Sequence, residues 1–159
     1  MPTSTYDLIA SNVLGSSAAS VTFSSISASY RDLVLVVQAR PSGSNTNFSL
    51  RFNSDSGANY SWITAEWNDV SGVVSLDSNG STELAAGRCQ NNSLSIINIL
   101  DYSASKNKAV LIRNNNPSFV VQALSGRWAS NSAVNSIEIF PFANSFAANS
   151  TFYLYGVVS

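Results

Sequence analysis

No window of about 11 residues or more in this chain carries an apolar stripe at the 3.6-residue spacing of a helix. Apolar residues come instead in short runs, many of them alternating with polar ones, and the runs are bounded by Ser, Asn, Gly and Pro. A period of two closed by turn formers is strand patterning, because successive side chains of a strand point to opposite faces. Residues 47–53 show it plainly: Phe48, Leu50 and Phe52 fall on one face, Ser49 and Arg51 on the other. Residues 151–158 set Phe152, Leu154 and Gly156 against Tyr153, Tyr155 and Val157. Residues 32–39, apolar from Leu33 to Val37 and followed by Pro41 and Gly43, predict a strand buried on both faces.

The same reading predicts strands at residues 6–14, 20–23, 60–67, 93–100, 108–113, 119–128 and 136–140, the long one at 119–128 interrupted near Gly126. A turn is expected at Asn114-Asn115-Asn116-Pro117, and another at Asp55-Ser56-Gly57, with the Asp55 carboxylate on backbone amides and Gly57 at positive φ. Residues 68–92 break the pattern. With Gly72, Gly80 and Gly87 and only Val73-Val74 as an apolar pair, they predict a long, partly extended excursion serving as an interaction surface. Many short strands with regular turn signals predict an all-β chain, a single-domain antiparallel β-sandwich, jelly-roll-like, over residues 1–159.

Composition removes several functions. There is no histidine, so the common hydrolase triads, most zinc sites and the usual general base at neutral pH are missing. No glycine loop of phosphate-binding type occurs. Charged residues make up 11% of the chain and the net charge is −1. Such a surface has no basic patch for nucleic acid or anionic lipid, and no apolar run approaches the length of a membrane span. The lone Cys89 cannot form an intrachain disulfide and has no histidine to activate it. Residues 1–5 have neither a basic region nor an apolar run behind them, so no signal segment is expected and synthesis is expected in a cytoplasm.

Carboxylate chemistry survives this filter. Glu66 and Asp69 flank Trp67 and Asn68, and a glycosidase needs only two carboxyl groups beside a sugar; their place at a strand end favours plain solvent-facing charges. Asp55 and Asn59 have oxygens suited to calcium, but the turn accounts for them better. No cofactor and no metal are expected. Trp62, Trp67 and Trp128 are the candidate interface or glycan contacts. Trp62 shares strand parity with Thr64 and Glu66, whereas Trp67 shares it with Ile63 and Ala65, so one of the two faces away from the core.

Three segments carry a resemblance. The first is Tyr6-Asp7-Leu8-Ile9-Ala10 with Leu14-Gly15-Ser16, Val21-Thr22-Phe23-Ser24-Ser25-Ile26 and Tyr30-Arg31-Asp32-Leu33. The second runs from Arg51-Phe52-Asn53-Ser54-Asp55 through Tyr60-Ser61. The third is Phe146-Ala147-Ala148-Asn149-Ser150-Thr151-Phe152-Tyr153-Leu154-Tyr155-Gly156-Val157. Together they resemble small virion structural proteins of tailed bacteriophages, with residues 68–92 matching least. The resemblance implies a jelly-roll-like, non-enzymatic virion protein, made in the host cytoplasm. Its implied role is a homotrimeric capsid cement or decoration protein that clamps the major capsid protein or other virion proteins. The alternative it leaves open is a tail-fibre or receptor-binding carbohydrate-binding module whose partners include glycans.

Overall fold

The computed structural model describes residues 4–68, 72–90, 93–116 and 120–158. Within them the chain forms twelve strands and no helix. They are β1 (Tyr6–Val13), β2 (Val21–Phe23), β3 (Asp32–Ala39), β4 (Thr46–Phe52), β5 (Tyr60–Asn68), β6 (Gly72–Ser81), β7 (Leu84–Cys89), β8 (Ser93–Leu100), β9 (Lys108–Asn116), β10 (Val120–Trp128), β11 (Ile137–Pro141) and β12 (Thr151–Val157). A large sheet has the order β1-β12-β3-β8-β9-β10-β5-β6, and a small one the order β2-β11-β4-β7. All pairings are antiparallel. The chain alternates between the sheets: β2 small, β3 large, β4 small, β5 and β6 large, β7 small, β8 to β10 large, β11 small, β12 large. This winding stacks the sheets as an antiparallel sandwich and is compatible with a jelly roll.

Alternation supplies the core. Phe48, Leu50 and Phe52 of β4 are buried, as are Ile137 and Ile139 of β11. They meet Leu33, Leu35 and Val37 of β3, Ile97 and Ile99 of β8, and Phe152 and Leu154 of β12. On β12 the alternate Tyr153 and Tyr155 are only half-buried.

Five local expectations need correction. The described part of residues 68–92 is more regular than the partly extended excursion expected there, because it contains β6 and β7. β6 is an edge strand paired with β5 alone, and its described side chains from Leu76 to Asn79 are exposed or half-buried, so it shows no apolar alternation. β7 is short, and its pairing with β4 shifts register between Phe48 and Ser49, opposite Gly87 at φ 122°; this bulge masks its alternation. β3 is fully buried on one face only, since Val34 and Val36 remain half-exposed. β9 runs on through Asn114, Asn115 and Asn116, so no turn opens at Asn114; Pro117 lies outside the described residues. β10 is continuous through Gly126, where a Cβ would sit 2.2 Å from Leu84 Cδ1. Glycine there admits the other sheet instead of breaking the strand.

The turn between β4 and β5 is the fifth. Asp55 does organise it: its Oδ1 accepts from Gly57 N at 2.8 Å and its Oδ2 from Asn59 Nδ2 at 2.9 Å. The residues at positive φ, however, are Asn53 and Ser54, at 53° and 56°, not Gly57. Asn is among the residues that visit that conformation most readily, and long-range bonds hold Asn53 in it: its Nδ2 donates to Ala133 O at 2.8 Å, and its Oδ1 accepts from Asn135 N at 2.9 Å. Trp128 Nε1 also donates to Asp55 Oδ2, at 2.7 Å. The Trp128 ring packs 5.5 Å from Phe52 and stacks at 6.4 Å on Tyr60. The Tyr60 hydroxyl in turn accepts from Phe52 N at 3.0 Å and donates to Asp55 O at 3.1 Å. One carboxylate therefore ties the turn to the aromatic end of the core.

The Trp128 indole hydrogen bond is the main cause holding the Asp55 carboxyl below its ordinary value of 3.8. A depressed folded-state pKa adds stability that is present above the unfolded value and lost as pH falls through the folded one. Thermal melts of the wild type are therefore expected to drop more steeply below pH 3.8 than those of Asp55→Asn. Parallel acid limbs for the two proteins would contradict this.

Candidate interaction surface on the large sheet

β5 begins in the core with Tyr60, which is fully buried. A period of two then forces Trp62, Thr64 and Glu66 inward, and Ile63, Ala65 and Trp67 outward. Beyond the rings of Tyr60 and Trp62, the polar Thr64 and Glu66 thus end up inside, and the apolar Ile63, Ala65 and Trp67 outside. Glu66 is 2% exposed, and its inward carboxylate needs a partner. β7 supplies one from the other sheet. Arg88 Nη2 donates to Glu66 Oε1 at 2.7 Å and Arg88 Nε to Oε2 at 3.1 Å, a bidentate pair. Gln122 Nε2 of β10 donates to Glu66 Oε2 at 2.5 Å.

The network continues along the inner face. Arg88 N donates to Gln122 Oε1 at 3.1 Å and to Asn114 Oδ1 at 3.2 Å. Asn114 Nδ2 donates to Ser95 Oγ at 2.7 Å and to Arg88 O at 3.1 Å. Among the described residues no buried side-chain nitrogen or oxygen lacks a partner. Gly87 is required here, because a Cβ on it would lie 2.6 Å from the Asn114 side chain.

These placements settle where the candidates of the sequence sit. Glu66 is not a solvent-facing charge; it is engaged by Arg88 and Gln122 across the sheets. Asp69 lies outside the described residues. Trp128 is 2% exposed and belongs to the core, Trp62 is half-buried on the inward face, and Trp67 is 50% exposed on the outward face. The three tryptophans are not brought together, so no platform of two or three coplanar rings forms. Cys89 is fully buried, and burial pushes its thiol up to about 12. Among the described residues no group of three His, Cys, Asp or Glu side chains is placed to hold a metal ion.

The outward face is where the structure leaves apolar surface uncovered. Sheet register lines up its side chains in rows. One runs Trp67, Val121, Asn115, Leu94; the next Ala65, Ala123, Arg113, Ile96; the third Ile63, Ser125, Leu111, Asn98. The last two continue over β3 to Val36 and Val34, and over β12 to Tyr153 and Tyr155. Val121 is 59% exposed, Ile63 54% and Leu111 48%. The small Ala65 and Ala123, beside Trp67, Val121, Ile96 and Arg113, leave a groove of about 590 Å³. Large apolar side chains clustered on an exposed face are a feature of interaction sites in soluble proteins. Of the three tryptophans only Trp67 belongs to this face. Alternation within each strand carried the signal for this face, but sequence alone does not say which of two apolar-bearing faces turns inward.

A comparison with protein-family models gives no match, and neither does a comparison with curated proteins.

Removing the arginine leaves the Glu66 carboxylate buried without its charge partner, which typically costs about 3–5 kcal/mol. Because the Arg88 side chain is 31% exposed, Arg88→Met is expected to lose about 3 kcal/mol in chemical denaturation. The double change Glu66→Leu with Arg88→Met should recover most of the loss. Equal losses in the single and double variants would show that the ion pair does not couple the sheets.

Proposed function

We propose that this protein is a non-enzymatic structural subunit that works by packing against other proteins. Its role is that of a capsid cement or decoration protein on a bacteriophage particle. The observation that carries the structural part is the apolar outward face of β8, β9, β10 and β5. A monomer in water gains nothing from leaving Trp67, Val121, Ile63 and Leu111 exposed, whereas a protein interface gains by covering them. The low charge of the chain fits such a role, since few ions need desolvating on assembly. The engagement of Glu66 with Arg88 and Gln122 supports a scaffold function for the best-placed carboxylate. The assignment to a phage particle rests on the sequence resemblance.

The test is the protein's presence in purified particles. Quantitative mass spectrometry is expected to find it in a fixed ratio to the major shell protein, and Val121→Arg or Trp67→Glu, both on the outward face, should lower that ratio. Absence from particles would overturn the proposal. A glycan array is expected to be blank, because the three tryptophans do not share a face; specific binding lost on Trp67→Ala would favour a carbohydrate-binding module instead.

A further inference from the structure

The outward face carries few charges, and their positions point to what covers it. On the described outward positions of β5, β6, β8, β9 and β10 the charged residues are Arg113, Arg127 and Asp77. Arg113 sits on β9 in the row of Ala123 and Ala65. Asp77 sits on the edge strand β6 opposite Ile63, one row along. Both are exposed, and neither forms an ion pair among the described residues.

We propose that a second copy of this chain covers the face, paired about a two-fold axis that runs along the strands between β10 and β5. This rests on the reading of the outward face as a docking surface and names its partner. Two stacked sheets related by a two-fold need an axis in the plane between them, and such a contact is isologous. An axis along β9 would set Arg113 against its own copy, a repulsion that disfavours that register. Moving the axis to the gap between β10 and β5 exchanges β9 with β6. Arg113 of each copy then lies over β6 of the other, one residue pair (about 7 Å along a strand) from Asp77. An arginine side chain spans that distance. The same register lays β10 over β5, so Val121 and Ala123 cover Trp67 and Ala65 of the other copy.

The area is consistent with a reversible pair. Four overlapping strands of about nine residues, spaced about 4.8 Å apart and rising about 3.4 Å per residue, give a flat overlap of about 590 Å² per copy. Side-chain relief raises the accessible area above that figure. The flat figure lies below the about 800 Å² per partner of a standard interface, which places the pair among small, concentration-dependent contacts. Face-to-face sheet packing is how this chain already builds its core, and Ala65 and Ala123 leave room for the other copy's larger side chains.

The experiment is light scattering coupled to size exclusion, with sedimentation velocity, on the full chain from about 1 to 100 µM, a range that brackets a micromolar dissociation constant. The wild type is expected to rise to a two-copy mass. Arg113→Asp and Asp77→Arg are each expected to shift the midpoint at least tenfold toward monomer. The double variant Arg113→Asp with Asp77→Arg should restore pairing. Circular dichroism and melting temperature, unchanged for these exposed sites, separate lost pairing from lost folding. A wild type that stays monomeric at every concentration overturns the proposal. So does a three-copy mass, or a dimer indifferent to both single reversals. The particle measurement is independent: a monomer found in particles removes the pairing and keeps the structural role, whereas a charge-dependent dimer absent from particles keeps the pairing and removes that role.

Discussion

The buried contact between Glu66 and Arg88 is the interaction on which the arrangement of the large sheet depends. Strand periodicity leaves β5 no freedom once Tyr60 enters the aromatic cluster: every second residue after it must also face in. Thr64 and Glu66 are therefore carried inside by the geometry of Tyr60, not by their own chemistry. A buried carboxylate in that position is tolerable only if it is paired and its remaining lone pairs are satisfied. Arg88, Gln122, Asn114 and Ser95 meet that demand as one network spanning β5, β7, β8, β9 and β10.

The two ends of the sandwich solve the same problem differently. At the Asp55 end, large rings fill the space and one half-buried carboxylate at the turn pins Trp128, Asn59 and Gly57. At the Glu66 end, β7 lies over the large sheet with small residues, Ala86 and Gly87, and charge-assisted hydrogen bonds replace ring packing. The network is directional, so it selects one register of β7 over β5 and β10 where apolar packing by small residues would select weakly. Its cost is sensitivity: losing either charged partner strands the other.

The outward face follows from the inward one. Because Tyr60 fixes the inward parity of β5, Ile63, Ala65 and Trp67 have nowhere to go but out, and their neighbours in register on β8, β9 and β10 extend the surface. A chain with so few charges does little to shield such a face from other proteins. Association through it is the outcome that surface physics favours, and the sparse pattern of Arg113 and Asp77 restricts how that association is oriented.

The sequence by itself determined ten of the twelve strands, the sandwich class and the core face of β4. Those follow from local alternation between residues such as Phe48, Leu50 and Phe52, and from turn formers whose preferences need no distant partner. It also determined that Trp62 and Trp67 face opposite ways. Only the tertiary structure decided which of those faces is the inside, because alternation is symmetric and the choice was made by Tyr60 packing against Phe52, across the turn, and against Trp128, which is remote along the chain. The strands β6 and β7 were hidden for related reasons: the described side chains of β6 are exposed or half-buried and carry no apolar alternation, and a bulge at Gly87 erases a period of two. The partnership of Glu66 with Arg88 was equally out of reach, since a charge at a strand end reads as solvent-facing until a second sheet is laid across it.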